Sequence, residues 1–165
     1  MNPAGYWMSE KLDGCRCIFT GTRFLTRNGK DFKPPASWLE GMPDCRLDGE
    51  IYAGKQSFET LVSTIQKRGS EWEGITFNVF DLAVTGTPIE ARLATLAGLS
   101  LPPHCRVVQH RLCGGAQDLD DTEAGIVAAG GEGLCLRAPG SNYRPGNFIK
   151  IKRLFPDLNR SHLDN

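Results

Sequence analysis

Alternating apolar and polar residues predict strands along much of this 165-residue chain. Residues 15–26 alternate on both sides of a turn at Gly21, which is typical of a hairpin. Within residues 45–54, the same alternation places Asp48 and Glu50 together on one face of a strand. Apolar runs predict four further strands, at residues 75–84, 105–112, 132–140 and 147–155.

Three segments have apolar residues at helical spacing instead. The first, residues 57–69, begins at a serine that can cap a helix and ends at a glycine. The second covers residues 88–99, and the third, residues 118–131, begins with acidic residues and ends in glycines. Because strands dominate and helices intervene irregularly, we predict an α+β fold of antiparallel sheets with packed helices.

The composition is typical of one globular domain, with 40% hydrophobic and 23% charged residues. No apolar run approaches the roughly 18 residues that span a bilayer, and no secretory signal opens the chain, so we expect no membrane association. The six cysteines include no C-x-x-C pair, and no histidine pair has zinc spacing. We therefore expect reduced thiols and a cytoplasmic protein.

The charges balance, with 19 basic and 19 acidic residues, whereas a dedicated nucleic-acid coat is usually more basic. They are nevertheless unevenly distributed near the end of the sequence. Between residues 137 and 160, six basic residues accompany a single acidic one, Asp157, which predicts a local surface for anions. The six are Arg137, Arg144, Lys150, Lys152, Arg153 and Arg160.

Several polar clusters stand at the ends of predicted strands, and each alone is typical of a solvated surface or a turn. Together they suggest chemistry. A lysine amine such as that of Lys11 is a nucleophile once it is neutral. Lys150 and Lys152 alternate with isoleucines, so their ammonium groups share one face and can neutralise a phosphate.

Two carboxylates and two rings add to this interpretation. Glu50 and Glu132 are hard oxygen ligands suited to a divalent metal or a ribose hydroxyl. Phe77 or Phe80 offers an aromatic surface for a base. A nucleophile, paired cations, oxygen ligands and a stacking ring are the requirements for nucleotidyl transfer to a lysine.

Six strings occur in the order of the nucleotidyltransferase motifs of ATP-dependent DNA ligases: EKLDGCR, TRNG, LDGE, FNVFDL, GEGLCLRAP and IKIK. A single K-x-D-G is weak evidence, but six ordered motifs are specific. From Trp7 to Lys152 the chain resembles the compact bacterial and viral ligases. The resemblance implies a nucleotidyltransferase fold of the ATP-grasp-like type over residues 1–152.

The resemblance also implies catalytic roles. Lys11 would attack the α-phosphate of ATP and carry AMP, which then passes to the 5′-phosphate of a nick in double-stranded DNA. Lys150 and Lys152 would contact the α-phosphate. Asp13 would mainly orient the turn.

The remaining implied roles concern the cofactors, ATP and either Mg²⁺ or Mn²⁺. Arg16 and Glu50 would hold the ribose side, Phe80 would stack on adenine in preference to Phe77, and Arg27 would lie near the sugar and the DNA phosphate. Glu132 would bind or position the metal, with Glu50 as a second metal ligand. The residues implied in cofactor binding are thus Glu10, Arg16, Arg27, Glu50, Phe80 and Glu132.

In this family an OB-fold domain normally follows the K-x-K strand, and residues 153–165 are too few to form one. We therefore expect a C-terminal tail there, poor sealing by this chain alone, and a separate OB-fold domain or protein as a partner. A domain cut from a longer ligase, a natural minimal protein and a remnant remain open alternatives.

Other functions remain open as well. An RNA ligase is the second interpretation and an mRNA-capping guanylyltransferase the third, because both use a lysine nucleophile and similar motifs. A non-catalytic nucleic-acid-binding module is the alternative from another class.

Overall fold

The computed structural model describes residues 2–54, 58–67 and 72–144, together with the backbone of residues 149–152. Within this part the chain forms strands, three α-helices and a short 3₁₀ helix at Ala36–Trp38. The strands are β1 Trp7–Lys11, β2 Cys15–Phe19, β3 Phe24–Thr26, β4 Leu47–Tyr52, β5 Thr76–Leu82, β6 Cys105–Val107, β7 Arg111–Leu112, β8 Gly133–Arg137 and β9 Ile149–Lys152. The helices are α1 Phe58–Gln66, α2 Ile89–Ala97 and α3 Ala116–Ala128.

The described strands form two sheets, which confirms the α+β prediction. One sheet has the order β3-β2-β4-β5-β6 and the other has the order β7-β1-β8-β9. All neighbouring pairs are antiparallel except β5 and β6, which are parallel, so the prediction of antiparallel sheets fails at that edge.

Two further predictions needed correction. Residues 105–112 were predicted as one strand but form two short ones, β6 and β7, which lie in different sheets. Strand β1 was missed, because its five residues do not alternate: a partly exposed residue is followed by two buried ones, one exposed and one partly exposed. The serine and glycine predicted to bound α1, Ser57 and Gly69, lie outside the described residues.

Each sheet has its own apolar core. The larger core lies on the five-stranded sheet and is rich in aromatic rings, among them Phe19, Phe24, Trp38 and Phe77. The smaller core joins the four-stranded sheet to α3. No helix in the described part of the chain combines the length and the apolar character that crossing a membrane requires.

An irregularity in β5 sets the direction of its side chains. Asp48 of β4 pairs with Asp81, but the next residue, Gly49, pairs with Val79, so Phe80 is the extra residue of a bulge. Gly49 lies so close to β5 that a Cβ there would come within 2.7 Å of the Phe77 ring. A side chain at this position would therefore force the two strands apart.

A buried ion network stands beside the bulge. The carboxylate of Asp81 is 1% exposed and pairs with two arginines that are almost as buried, Arg92 of α2 and Arg137 of β8. Arg92 Nε donates to Asp81 Oδ1 at 2.8 Å, and Arg137 Nη1 donates to Asp81 Oδ2. Arg137 therefore does not contribute to the anion-facing surface that the sequence predicted, because its side chain is buried and paired with Asp81 of β5.

The network joins both sheets. Arg137 Nη2 donates to the Phe80 carbonyl at 2.7 Å and contacts His110 Nε2 at 2.8 Å. The other nitrogen of the ring, Nδ1, lies 2.9 Å from the Val108 carbonyl, which identifies Nδ1 as the protonated nitrogen. Burial, aided by the charge of Arg137, lowers the pKa of His110 to about 4, so the neutral ring accepts the bond from Arg137.

We expect Asp81→Asn to destabilise the fold by about 3–5 kcal/mol, because it leaves two buried guanidinium groups without their counter-charge. Urea unfolding followed by circular dichroism measures the loss. Asp118→Asn is the matched control, since Asp118 makes a solvent-exposed pair with Arg111 and should change stability little. Equal stability of the two variants would show that the network does not hold the fold together.

Candidate active site

A pocket opens between the two sheets where β1 ends and β2 begins. Of the nine predicted site residues, seven line it: Glu10, Lys11, Arg16, Arg27, Glu50, Phe80 and Glu132. The other two, Lys150 and Lys152, lie on β9, whose backbone pairs them with Cys135 and Gly133 of β8. Cys135 also lines the pocket, so the register places the β9 backbone beside it.

Lys11 is the last residue of β1 and pairs with Gly133, the first residue of the neighbouring strand β8. This register brings Glu132, the residue before β8, to the lysine. Lys11 Nζ donates to Glu132 Oε1 at 2.6 Å, and both side chains are about one-fifth exposed, at 22% and 16%. The amine is therefore held in one position while still facing the pocket.

The K-x-D-G turn depends on its glycine. A Cβ at Gly14 would collide with the backbone carbonyl of Ile51 and would come within 3.0 Å of the Glu50 side chain. The absence of a side chain thus lets the turn after Lys11 lie directly against β4. Glu50 reaches the same pocket as Lys11 because of this close approach.

Arg16 is fixed by a buried aspartate. Its Nε donates to Asp48 Oδ1 at 2.6 Å and its Nη2 to Asp48 Oδ2 at 2.5 Å, while Tyr143 donates its hydroxyl to the same carboxylate at 2.7 Å. Burial alone would lower the pKa of Arg16, but the bonds and charge of Asp48 outweigh it and raise the pKa. The guanidinium stays charged, with its carbon 4.7 Å from the centre of the Phe80 ring.

The two candidate rings have different surroundings. Phe77 is completely buried in the larger core, whereas Phe80 lines the pocket. The bulge in β5 places Phe80 there, and the hydrogen bond from Arg137 holds its backbone. Val108, held through His110 by the same arginine, lines the pocket as well.

Sequence reasoning overlooked most of the residues that support the site. Asp48 was predicted on the face of Glu50, which the register confirms, but its hold on Arg16 was not foreseen. The sequence analysis did not predict the network that is formed by Asp81, Arg92, His110 and Arg137. The string FNVFDL offered a signal for this network, because an aspartate within an apolar strand requires a buried partner.

The candidate metal ligands share the pocket without forming a cluster. Glu50 and Glu132 both line it, yet the described residues include no group of three or more His, Cys, Asp or Glu side chains that could hold a metal ion. A magnesium ion commonly takes one or two carboxylates and completes its shell with water and substrate phosphates. Two carboxylates in one pocket fit that donor set.

Comparison with known proteins shows similarity to DNA ligases. No protein-family model matches the chain. A DNA ligase of Haemophilus influenzae is 31% identical over 156 residues, which cover 90% of this chain and 58% of that protein. The structure of a Lig E DNA ligase is also 31% identical, with a TM-score of 0.85 over 93% of this chain and 64% of that one.

A Chlorella virus DNA ligase–adenylate shares the fold, with a TM-score of 0.77 at 18% identity, over 90% of this chain and 61% of the viral one. The chain thus spans about three-fifths of the length of the relatives it matches. In sequence and in fold, the chain is therefore similar to DNA ligases, and its fold is that of their nucleotidyltransferase domain.

Proposed function

We propose that this chain is the adenylating unit of an ATP-dependent DNA ligase, with Lys11 as the nucleophile. The observation that carries the proposal is the Lys11 amine, held 2.6 Å from Glu132 in a pocket that also contains Arg16, Arg27 and Phe80. The similarity to DNA ligases over 90% of the chain supports the same function.

The reaction begins when the Lys11 ammonium gives a proton to Glu132 Oε1, its hydrogen-bond partner at 2.6 Å, which leaves a neutral amine. Its nitrogen attacks the α-phosphorus of ATP, the new N–P bond forms, and the bond to pyrophosphate breaks. AMP then passes from Lys11 to the 5′-phosphate of a nick in double-stranded DNA, and the adjacent 3′-hydroxyl displaces AMP to seal the strand. An OB-fold domain, in the same protein or a separate one, is the proposed partner for the sealing steps.

The side chains around Lys11 have different roles in the proposed reaction. Glu132 orients the amine through their ion pair, and Arg16 and Glu50 face the ribose. Glu10 and Arg27 line the same pocket, and Arg27 is exposed where a DNA phosphate can reach it. Lys150 and Lys152 are proposed to contact the α-phosphate from β9. Glu50 and Glu132 would hold Mg²⁺ or Mn²⁺, which neutralises phosphate charge when bound.

We expect Lys11→Arg to abolish AMP attachment, because arginine retains a cation for Glu132 but lacks a nucleophilic amine. Intact-protein mass spectrometry after incubation with ATP and Mg²⁺ detects the adduct. Lys67→Arg, the same substitution at an exposed residue after α1, should carry one AMP like the wild type. An adduct on the Lys11→Arg variant would refute Lys11 as the nucleophile. No adduct on the wild type would favour a non-catalytic binding module.

We expect Phe80→Leu to raise the KM for ATP in self-adenylation, because leucine keeps the bulk but loses the ring face. Base–aromatic stacking is worth about 1–3 kcal/mol, which corresponds to a rise of roughly fivefold or more. Phe77→Leu is the matched control on the same strand. It should lower the midpoint of urea unfolding, since Phe77 lies in the core, and leave the KM unchanged. The opposite result for the two rings would show that the base stacks elsewhere.

A further inference from the structure

Residues 138–143 follow β8 and are attached by hydrogen bonds to two other elements; we call this segment the strap. The Gly140 N–H donates to both carboxylate oxygens of Glu90, at 3.0 and 3.2 Å. The carbonyl of the next residue, Ser141, accepts from Arg92 Nη1 at 2.8 Å, and Arg92 also belongs to the buried ion network. Helix α2 therefore holds the middle of the strap in place.

The strap ends in a buried tyrosine. Tyr143 is 9% exposed, although its neighbours Asn142 and Arg144 are exposed. Its hydroxyl donates to Asp48 Oδ2 at 2.7 Å, and Asp48 has no exposed surface. Burial raises the pKa of Tyr143, and the hydrogen bond and charge of Asp48 raise it further. The hydroxyl therefore keeps its proton and remains a donor to the carboxylate.

Asp48 joins this tyrosine to the pocket. Arg16 donates from Nε to Asp48 Oδ1 at 2.6 Å and from Nη2 to Oδ2 at 2.5 Å, so Arg16 and Tyr143 share one carboxylate oxygen. The guanidinium is planar, and two bonds to one carboxylate fix its orientation as well as its position. In that orientation the guanidinium carbon lies 4.7 Å from the centre of the Phe80 ring.

Arg16 lies close to a second carboxylate. Glu50 is its partner in the β2–β4 register, and the charge of Glu50, like that of Asp48, raises the pKa of Arg16. Within the described residues, the side chain of Asp48 accepts three bonds, two from Arg16 and one from Tyr143. Without the tyrosine hydroxyl, Arg16 alone would orient that carboxylate. An arginine drawn towards Glu50 would then leave its place against the Phe80 ring.

We propose that Tyr143 is a positioning residue for nucleotide binding, which acts through Asp48 to hold Arg16 against the aromatic ring of the pocket. This proposal rests on the proposed function, in which Phe80 stacks on the base and Arg16 faces the ribose. Tyr143 is not among the described residues that line the pocket, and it does not contact Lys11. Its effect should therefore fall on the binding of ATP and not on the attack by the amine.

The test removes the hydroxyl and keeps the ring. Tyr143→Phe deletes the bond to Asp48. Tyr6→Phe is the matched control, because Tyr6 packs against the smaller core on the other sheet. The rate of self-adenylation, followed by intact-protein mass spectrometry over a series of ATP concentrations, gives the KM for ATP and the maximal rate separately. Urea unfolding of each variant verifies that it is folded under the conditions of the assay.

We expect Tyr143→Phe to raise the KM for ATP about fivefold, because hydrogen bonds to charged groups contribute more than those between neutral groups. The maximal rate should stay within about twofold of the wild type, since the loss of an interaction made equally in the bound and transition states changes the KM alone. Tyr6→Phe should keep both wild-type values.

A double-mutant cycle with Arg16 distinguishes positioning from a purely structural role. Arg16→Lys keeps a cation for the buried Asp48 but lacks the planar fork that this carboxylate orients. If Tyr143 acts through Arg16, adding Tyr143→Phe to Arg16→Lys should raise the KM further by less than about twofold. The full fivefold rise in that background would overturn the proposal, because the hydroxyl would then act independently of Arg16.

Two outcomes of the single substitution would also overturn the proposal. One is an unchanged KM for ATP in Tyr143→Phe, and the other is a fall in the maximal rate without a change in KM. Failure of the proposed function has a different signature. The wild type would then form no AMP adduct, and this inference would fail with it, whereas failure of the inference alone leaves the wild-type adduct and its KM intact.

Discussion

The buried carboxylate of Asp81 is the constraint on which the rest of this structure depends. One aspartate compensates two buried guanidinium groups, and these come from α2 and from β8, a strand of the other sheet. Isolated charges cannot be buried at such depth without a large desolvation cost, so the three side chains are stable only together. The contact between the two sheets, and with it the pocket that opens between them, therefore depends on a polar network as well as on the two apolar cores.

The same network makes one end of the pocket rigid, whereas the other end can rearrange. Arg137 holds the Phe80 carbonyl directly and Val108 through His110, so the apolar wall of the pocket is tied to buried groups. The pair of Lys11 and Glu132, in contrast, is partly exposed to solvent. A partly solvated pair can separate at low cost when a substrate arrives. In the proposed adenylation, the rigid end would recognise the base, and the covalent chemistry would take place at the Lys11 amine, where the ion pair can separate.

The sequence predicted what depends on local pattern and missed what depends on distant pairing. Helix α3 and strand β5 were predicted because their periodicity and end residues are local properties. Arg137 was instead counted as part of a basic surface, because its partner Asp81 lies 56 residues away and only the fold brings them together. The choice of Phe80 over Phe77 came from family resemblance. The sequence pattern of β5 could not have supported it, because the pattern does not reveal the bulge between the two rings. The ordered motifs located the pocket, but not the residues that support it.

The overall charge of the chain also shows how little the sequence alone reveals about which residues share a surface. A net charge of zero argues against a nucleic-acid coat, yet it averages over surfaces of opposite sign. In the fold, the exposed side chains of Arg23, Arg27, Lys30 and Lys33 stand on one side of the pocket, and α3, which carries Asp120 and Asp121, lines a groove beyond Glu10. Segregated charge of this kind orients a polyanion without strong overall attraction. In the proposed reaction, this arrangement would allow a duplex to be oriented without being held tightly, so that the product can dissociate.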